Sequence, residues 1–270
     1  MAADLDRIAE HLLLARDEGR QVAPLSSTED KLSLEDAYRL AAKLRTLREA
    51  CGERAIGRKI GFTNRNIWPQ YKVYAPIWGY IYNTTVHELG DAAPASRLAW
   101  MLEPRIEPEI IFRFAETPAP GMDEMAVLGC IEWAAHGFEI VESLFPGWVF
   151  EAPDTVAGFG LHRALFIGPR HSVRTNAEGW LAALSSFRIE LLCNGRVAVR
   201  GHARNVLDGP LQTLRHLIDI LQSDPANPPP TAGEIVTTGT LTDAMPISRG
   251  ERWSTVLRGT GLAGASLDFS

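Results

Sequence analysis

Cysteine is scarce. Cys51, Cys130 and Cys193 are the three in 270 residues, far apart and odd in number, which argues against a disulfide framework and against a clustered-thiolate zinc site. A reducing, cytoplasmic setting is the expectation. No apolar run reaches the roughly 18 residues a membrane helix needs. The amino-terminal MAADLDRIAEHLLLARDEGR carries acids where a secretory leader would carry bases, so no membrane partner is expected. An excess of positive charge is also missing: 27 Lys and Arg stand against 33 Asp and Glu, for a net charge of −6. Without a basic stripe there is nothing to hold a polyanion, and nucleic acid is excluded as a partner. There is no glycine-rich phosphate loop opening a helix after a strand, and no Gly-x-Ser-x-Gly elbow, which removes support for nucleotide-loop and serine-hydrolase chemistry. No repeat, low-complexity tract or clean linker divides the chain.

What is present is long enough for a large core, as one elaborate domain or two smaller ones. Apolar residues at Leu5, Ile8, Leu12 and Ala15 predict a helix over 3–18, and Ser33-Leu34-Glu35-Asp36 predicts a capped helix start running to about Ala50. Residues 23–31 form an exposed connector. Short apolar runs bracketed by glycines predict strands over 55–64, within 71–82 and over 105–114, the last marked by Pro108 as an edge or a bulge. A helix is expected over 123–135, a strand over 137–141, and an antiparallel set at 165–168, 187–194 and 198–201 with a hairpin turn at Asn194-Gly195. Pro210 opens a helix to Leu221, and short strands fill 234–269.

The chemistry concentrates in Arg105-Ile106-Glu107-Pro108-Glu109-Ile110. On an extended strand Glu107 and Glu109 share one face and Ile106 and Ile110 the other. Side-by-side carboxylates resist joint ionisation unless a cation lies between them, and a hard divalent ion suits an all-oxygen site. The spacing alone fits a solvated polar face as well. Glu139 interrupts the apolar run Gly137-Phe138-Glu139-Ile140-Val141, where a buried carboxylate needs a partner or a metal. Lys59, in a glycine-bracketed strand, is either a surface charge or a group aimed into a pocket. His136 is either a structural histidine or a general base.

Five segments occur in the order found in one known group. Gly57-Arg58-Lys59-Ile60-Gly61-Phe62-Thr63 comes first, then Pro104-Arg105-Ile106-Glu107-Pro108-Glu109-Ile110 and Phe138-Glu139-Ile140-Val141-Glu142-Ser143. Asp154-Thr155-Val156-Ala157 and Gly233-Glu234-Ile235-Val236-Thr237-Thr238-Gly239 complete the set. From about Leu34 onward the chain resembles the fumarylacetoacetate hydrolase superfamily, in its 2-keto-4-pentenoate hydratase and 4-oxalocrotonate decarboxylase branch. The resemblance implies an α+β fold, a mixed β-sandwich roll with a helical amino-terminal segment. Residues 1–85 would form that segment and 86–270 the catalytic part, or the two would be one continuous domain.

The resemblance further implies Mg²⁺ or Mn²⁺ on Glu107, Glu109 and Glu139, with Lys59 at the active site and His136 or Glu142 as acid or base. Arg105, Thr63, Ile77, Trp78, Asp154, Phe159 and Thr240 would face a small 2-keto acid substrate. The implied activity is hydration of a 2-hydroxy-2,4-dienoate or its 2-keto-4-enoate tautomer, as in aromatic-compound catabolism, by a homo-oligomer. Decarboxylation, carbon–carbon hydrolysis and a weakly active partner subunit are the alternatives. Two departures stand out: Pro76-Ile77-Trp78-Gly79 replaces Pro-Asp-x-Gly, and Ala157-Gly158-Phe159 replaces Ala-Asp-Asn. Both exchange polar groups for apolar ones and imply a more apolar or longer substrate tail. Hydrolases of the superfamily pair a His with a Glu on an amino-terminal lid, and His11 lacks such a partner motif.

Overall fold

The computed structural model describes residues 4–28, 31–89 and 101–269. Helix α2 (Leu34–Ala50) begins where its cap predicts, and α1 (Leu5–Asp17) falls within the expected 3–18: the side chains of Ser33 and Asp4 accept from the amides of Asp36 and Arg7. Those bonds satisfy amides that a helix start otherwise leaves open. Their apolar stripes meet each other and Phe62, Ile77, Val141 and Phe145 in one buried cluster. No helix among the described residues is long and apolar enough to cross a membrane.

A large mixed sheet forms the centre. In spatial order it runs β2 (Ile77–Tyr82), β1 (Ala55–Gly61), β10 (Ile235–Thr237), β4 (Arg105–Phe114), β5 (Ile131–Val141), β6 (His162–Ile167) and β3 (Val86–Glu88). Two short strands join it, β7 (His171–Ser172) on β5 and β11 (Met245–Pro246) on β4. A second, four-stranded sheet is ordered β13 (Ser266–Phe269), β12 (Glu251–Arg258), β8 (Arg188–Cys193), β9 (Arg196–His202). The boundary expected near residue 85 therefore falls within one continuous sheet, because β1 and β2 reach β4 through β10.

Strand alternation gives the large sheet two different faces. One carries Ile106, Phe138, Ile140 and Phe166 against Leu191 and Trp253 of the second sheet. Farther along the same face, Ile60, Trp78, Tyr80 and Phe112 lie under α7 (Pro210–Gln222), whose stripe of Leu211, Leu214, Leu217, Ile218 and Leu221 is fully covered. Each such aliphatic side chain contributes about 1.5–3 kcal/mol by leaving water. The opposite face carries Lys59, Glu107, Glu109 and Glu139.

Two expectations are corrected. The helix expected over 123–135 is α4 (Glu124–Gly129) only; from Ile131 onward the chain is β5. Its residues pair with β4 across the whole strand, Ala135 with Ile111 and Trp133 with Arg113, and that ladder overrides the local helical spacing. β4 is also an interior strand. Proline is tolerated at its middle because the Pro108 carbonyl looks toward the 238–244 loop, accepting from the Leu241 amide at 3.0 Å, in the gap between β10 and β11. On that side no ladder bond requires the missing N–H.

Candidate metal centre

Register, more than sequence spacing, builds the site. Glu107 and Glu109 alternate onto one face of β4, and Glu139 of β5 lies directly opposite Glu107. One carboxylate oxygen from each falls within 4.8 Å of the others. Glu109 and Glu139 are 0% exposed. From β1, next but one in the sheet, Lys59 places Nζ 3.2 Å from Glu139 Oε2 and donates to the Gly160 carbonyl at 3.0 Å. Gly79, paired with Lys59 on β2, makes room for that turn: a Cβ there would stand 3.1 Å from the Phe159 carbonyl oxygen. Gly239, at φ 85°, donates its amide to Glu109 Oε2 at 2.9 Å. A side chain at that position would strike Thr63 Oγ1, so the turn that holds Glu109 depends on glycine.

Three carboxylates face one ammonium. Glu109 Oε1 and Glu139 Oε2 are buried with no hydrogen-bond partner, an expense a folded protein rarely carries without a ligand. Burial pushes Glu107 up to about 7 against the pull of Lys59. Burial and the neighbouring charges of Glu139 and Glu107 raise Glu109 well above the carboxylate range. Burial would raise Glu139 as well, but Lys59 and the His162 bond hold it down to about 2. Burial alone would lower Lys59, yet Glu139, Glu107 and Glu109 together raise it, so it stays an ammonium. A hard divalent cation fits this all-oxygen, electron-rich set.

Protonation follows with a defined sign. Glu107 is raised from 4.5 to about 7 on folding, so its contribution to stability is full below the lower value and lost as pH rises through the higher one. A cation reverses that loss. Divalent-ion affinity should therefore climb with pH through about 7, with proton release on binding below it. Calorimetry in buffers of different ionisation enthalpy checks this; uptake with no proton release would refute it.

His162, at the start of β6, was not singled out by the sequence. Its Nδ1–H donates to Glu139 Oε1 at 2.7 Å, and its Nε2 meets Thr85 Oγ1 at 2.8 Å. Only register could have found it, since β6 pairs with β5 and delivers this residue beside Glu139. Such outer partners orient a ligand, and His162→Gln, which loses the Nδ1 donor, should weaken metal affinity about 10–100-fold. An unchanged binding isotherm would mean that Lys59 alone positions Glu139.

A narrow cavity of about 30 Å³ opens over Lys59 and Glu107, walled by Phe62, Ile67, Tyr71, Trp148 and Leu161, with Thr240 beside them. Arg105 shares the Glu107 face; its guanidinium lies 4.2 Å from the Trp148 ring centroid and donates to the Tyr71 hydroxyl. Ile77 packs on the same face beside Gly61. Thr63 lies one layer back, donating to the Thr238 carbonyl at 3.0 Å.

The remaining expected site residues lie elsewhere. Trp78 occupies the opposite face of β2, stacked on Tyr38 at 5.0 Å. His136 also faces away, three residues from Glu139 on an alternating strand: Nδ1–H donates to the Glu109 carbonyl at 2.9 Å and Nε2 meets Thr255 at 2.8 Å. Burial lowers it to about 4, so it is neutral and clamps the two sheets together. Glu142 accepts from the Leu102 amide and faces Arg163, 3.6 Å away. Asp154 accepts from Ser26 N and Oγ at 2.9 and 2.6 Å and from Glu151 N at 2.8 Å. It caps α5 (Ala152–Ala157) and ties down the amino-terminal connector. The Phe159 ring lies under Arg16 at 4.8 Å.

This fold, with a curled mixed sheet presenting an acid triad, is that of fumarylacetoacetate hydrolase proteins. A fumarylpyruvate hydrolase from Pseudomonas aeruginosa, solved with Mn²⁺ and pyruvate, aligns with a TM-score of 0.57 at 14% identity over 78% of this chain and 87% of that one. A 4-oxalocrotonate decarboxylase from Pseudomonas putida G7, solved with magnesium and adipate, aligns with a TM-score of 0.86 at 23% identity, covering 98% and 97%. In sequence, a 2-hydroxyhexa-2,4-dienoate hydratase of Comamonas testosteroni is 31% identical over 243 residues, 90% of this chain and 89% of that protein. No protein-family model matches the chain. The protein belongs to the hydratase and decarboxylase branch of the fumarylacetoacetate hydrolase superfamily.

Proposed function

We propose that the protein is a divalent-metal-dependent lyase that adds water to a 2-hydroxy-2,4-dienoate, through its 2-keto-4-enoate tautomer, in aromatic-compound catabolism. The observation that carries this reading is the Glu107–Glu109–Glu139 triad, two of its members fully buried, with two oxygens that lack a hydrogen-bond partner beside the Lys59 ammonium. Those three carboxylates would hold Mg²⁺, with Mn²⁺ as the alternative. Bound there, the ion supplies Lewis-acid polarisation of the substrate's 2-oxo group.

The chain's own residues do the rest. Lys59 Nζ, fixed by Glu139 and Gly160, offers its N–H bonds and positive charge to the substrate carboxylate and is a proton reservoir lining the cavity. Phe62, Ile67, Trp148 and Leu161 exclude bulk water and favour an apolar tail. Tyr71 Oη, neutral because burial raises it, accepts from Arg105 and so can turn its own hydrogen toward the cavity. In the net reaction a water O–H bond breaks, oxygen bonding to C4, the carbon β to the 2-oxo group, and hydrogen to C5, with nothing lost.

The test is the full chain with Mg²⁺ and 2-hydroxypenta-2,4-dienoate or the longer 2-hydroxyhexa-2,4-dienoate. Loss of the dienol absorbance with a product one water heavier supports the proposal, with the longer substrate preferred. A product that has lost carbon dioxide would reassign it as a decarboxylase; no turnover of either would leave a metal-binding partner subunit. Three free cysteines fit a reducing cytoplasm, and a homo-oligomer remains the proposed assembly.

A further inference from the structure

Arg16, in the last turn of α1, is 7% exposed, and its Nε has no hydrogen-bond partner. No described residue forms an ion pair with it, and its guanidinium lies over the Phe159 ring. Arg48 of α2 approaches the same ring at 5.8 Å and is itself neutralised by Glu53, Nη2 to Oε1 at 2.7 Å. Arg163 of β6 faces Glu142 at 3.6 Å. The charged groups acting on Arg16 are thus Arg48, Arg163, Glu142 and Glu53. With Glu53 committed to Arg48, two guanidinium groups share one carboxylate, and Asp17 at the rim is exposed to solvent. Gathering like charges away from water is costly unless an anion completes the set.

These arginines line a cavity of about 580 Å³, within the roughly 300–1,000 Å³ typical of small-molecule sites. Leu13, Met101 and Ala164 supply apolar wall and Thr84 and Thr85 hydroxyls. A bare inorganic ion would leave most of this volume and all of the apolar wall unused. We propose that the cavity is a second ligand site, taking a small organic carboxylate whose acid group is held by the Arg16 fork together with Arg163 and whose carbon chain lies against Leu13, Met101 and Ala164. A planar guanidinium binds a carboxylate through two parallel bonds, which suits this geometry. Among the described residues the site shares no lining residue with the cavity over Glu107. Phe159 and Gly160 stand between them, the ring under Arg16 and the next carbonyl on Lys59.

The probe is succinate, with inorganic phosphate and chloride as comparison anions, followed by thermal unfolding and calorimetry on the full chain. Succinate should raise the wild-type melting temperature saturably, at lower concentration than phosphate, with Mg²⁺ or with EDTA. Arg16→Met should melt higher than wild type without ligand, bind succinate at least about tenfold more weakly, and keep its Mg²⁺ affinity. Arg163→Gln, at a half-buried position, gives a second variant with the same expected loss of succinate affinity. Equal responses to all three anions, no response, or full succinate binding by both variants would overturn the site. A response that vanishes in EDTA would assign the anion to the metal centre instead. Dissociation of the Arg16→Met assembly with no wild-type succinate binding would make Arg16 a subunit contact.

Discussion

Glu109→Gln should lower divalent-cation affinity at least about 100-fold and turnover with it, while the metal-free protein folds as well as wild type or better. The first half follows from chemistry: even outer partners of a metal ligand are worth about 10–100-fold in affinity, and the change removes a ligand and one of three charges. The second half follows from position. Glu109 is fully buried, its Oε1 is an orphan, and its Oε2 already accepts from Gly239. A glutamine can keep the Gly239 bond through its carbonyl oxygen and turn its amide toward Glu139, whose Oε2 has no hydrogen-bond partner and faces the Lys59 ammonium. It replaces like-charge repulsion with a hydrogen bond. Calorimetric titration with Mg²⁺, paired with melting curves in EDTA, separates the two effects. Wild-type affinity would remove Glu109 from the ligand set, and a collapse in EDTA would show that its role is structural.

How much of this was legible in the sequence depended on whether one strand or several decided the outcome. Glu107 and Glu109 share a face by alternation within β4, and the Ser33 cap of α2 is a local hydrogen bond, so both could be read directly. Glu139 was flagged because a carboxylate in an apolar run needs a partner. His162 carries no such mark: it reaches Glu139 only because β6 lies against β5. His136 and Trp78 misled for the opposite reason, since nearness in sequence to a site residue on an alternating strand says nothing about the shared face. His136 is an odd number of positions from Glu139, and Trp78 pairs with Ile60 while Lys59 pairs with Gly79. Asp154 fitted the motif, but its carboxylate is consumed by Ser26 and Glu151.

Lys59→Met should separate metal binding from turnover. Lys59 is 2% exposed, and its ammonium neutralises Glu139 at 3.2 Å. Removing one member of a buried pair typically costs about 3–5 kcal/mol, so the metal-free variant should melt well below wild type. A cation entering the variant then meets three carboxylates with no competing ammonium, and its affinity should equal or exceed that of wild type. Saturating Mg²⁺ should therefore recover most of the lost stability by mass action. Turnover should not recover. The substrate would lose the charge facing its carboxylate and the N–H bonds at the cavity floor, and removing a positioned proton donor costs about 10²–10⁴-fold. Melting curves in EDTA and in saturating Mg²⁺, with kcat, KM and Mg²⁺ affinity measured on the same preparation, test all four statements. If activity returned together with metal, Lys59 would be a counter-charge for Glu139 and nothing more; if metal affinity fell with activity, the ammonium would be helping to shape the ligand set. Loss of turnover in a fully metal-loaded variant is the result that makes Lys59 part of the reaction.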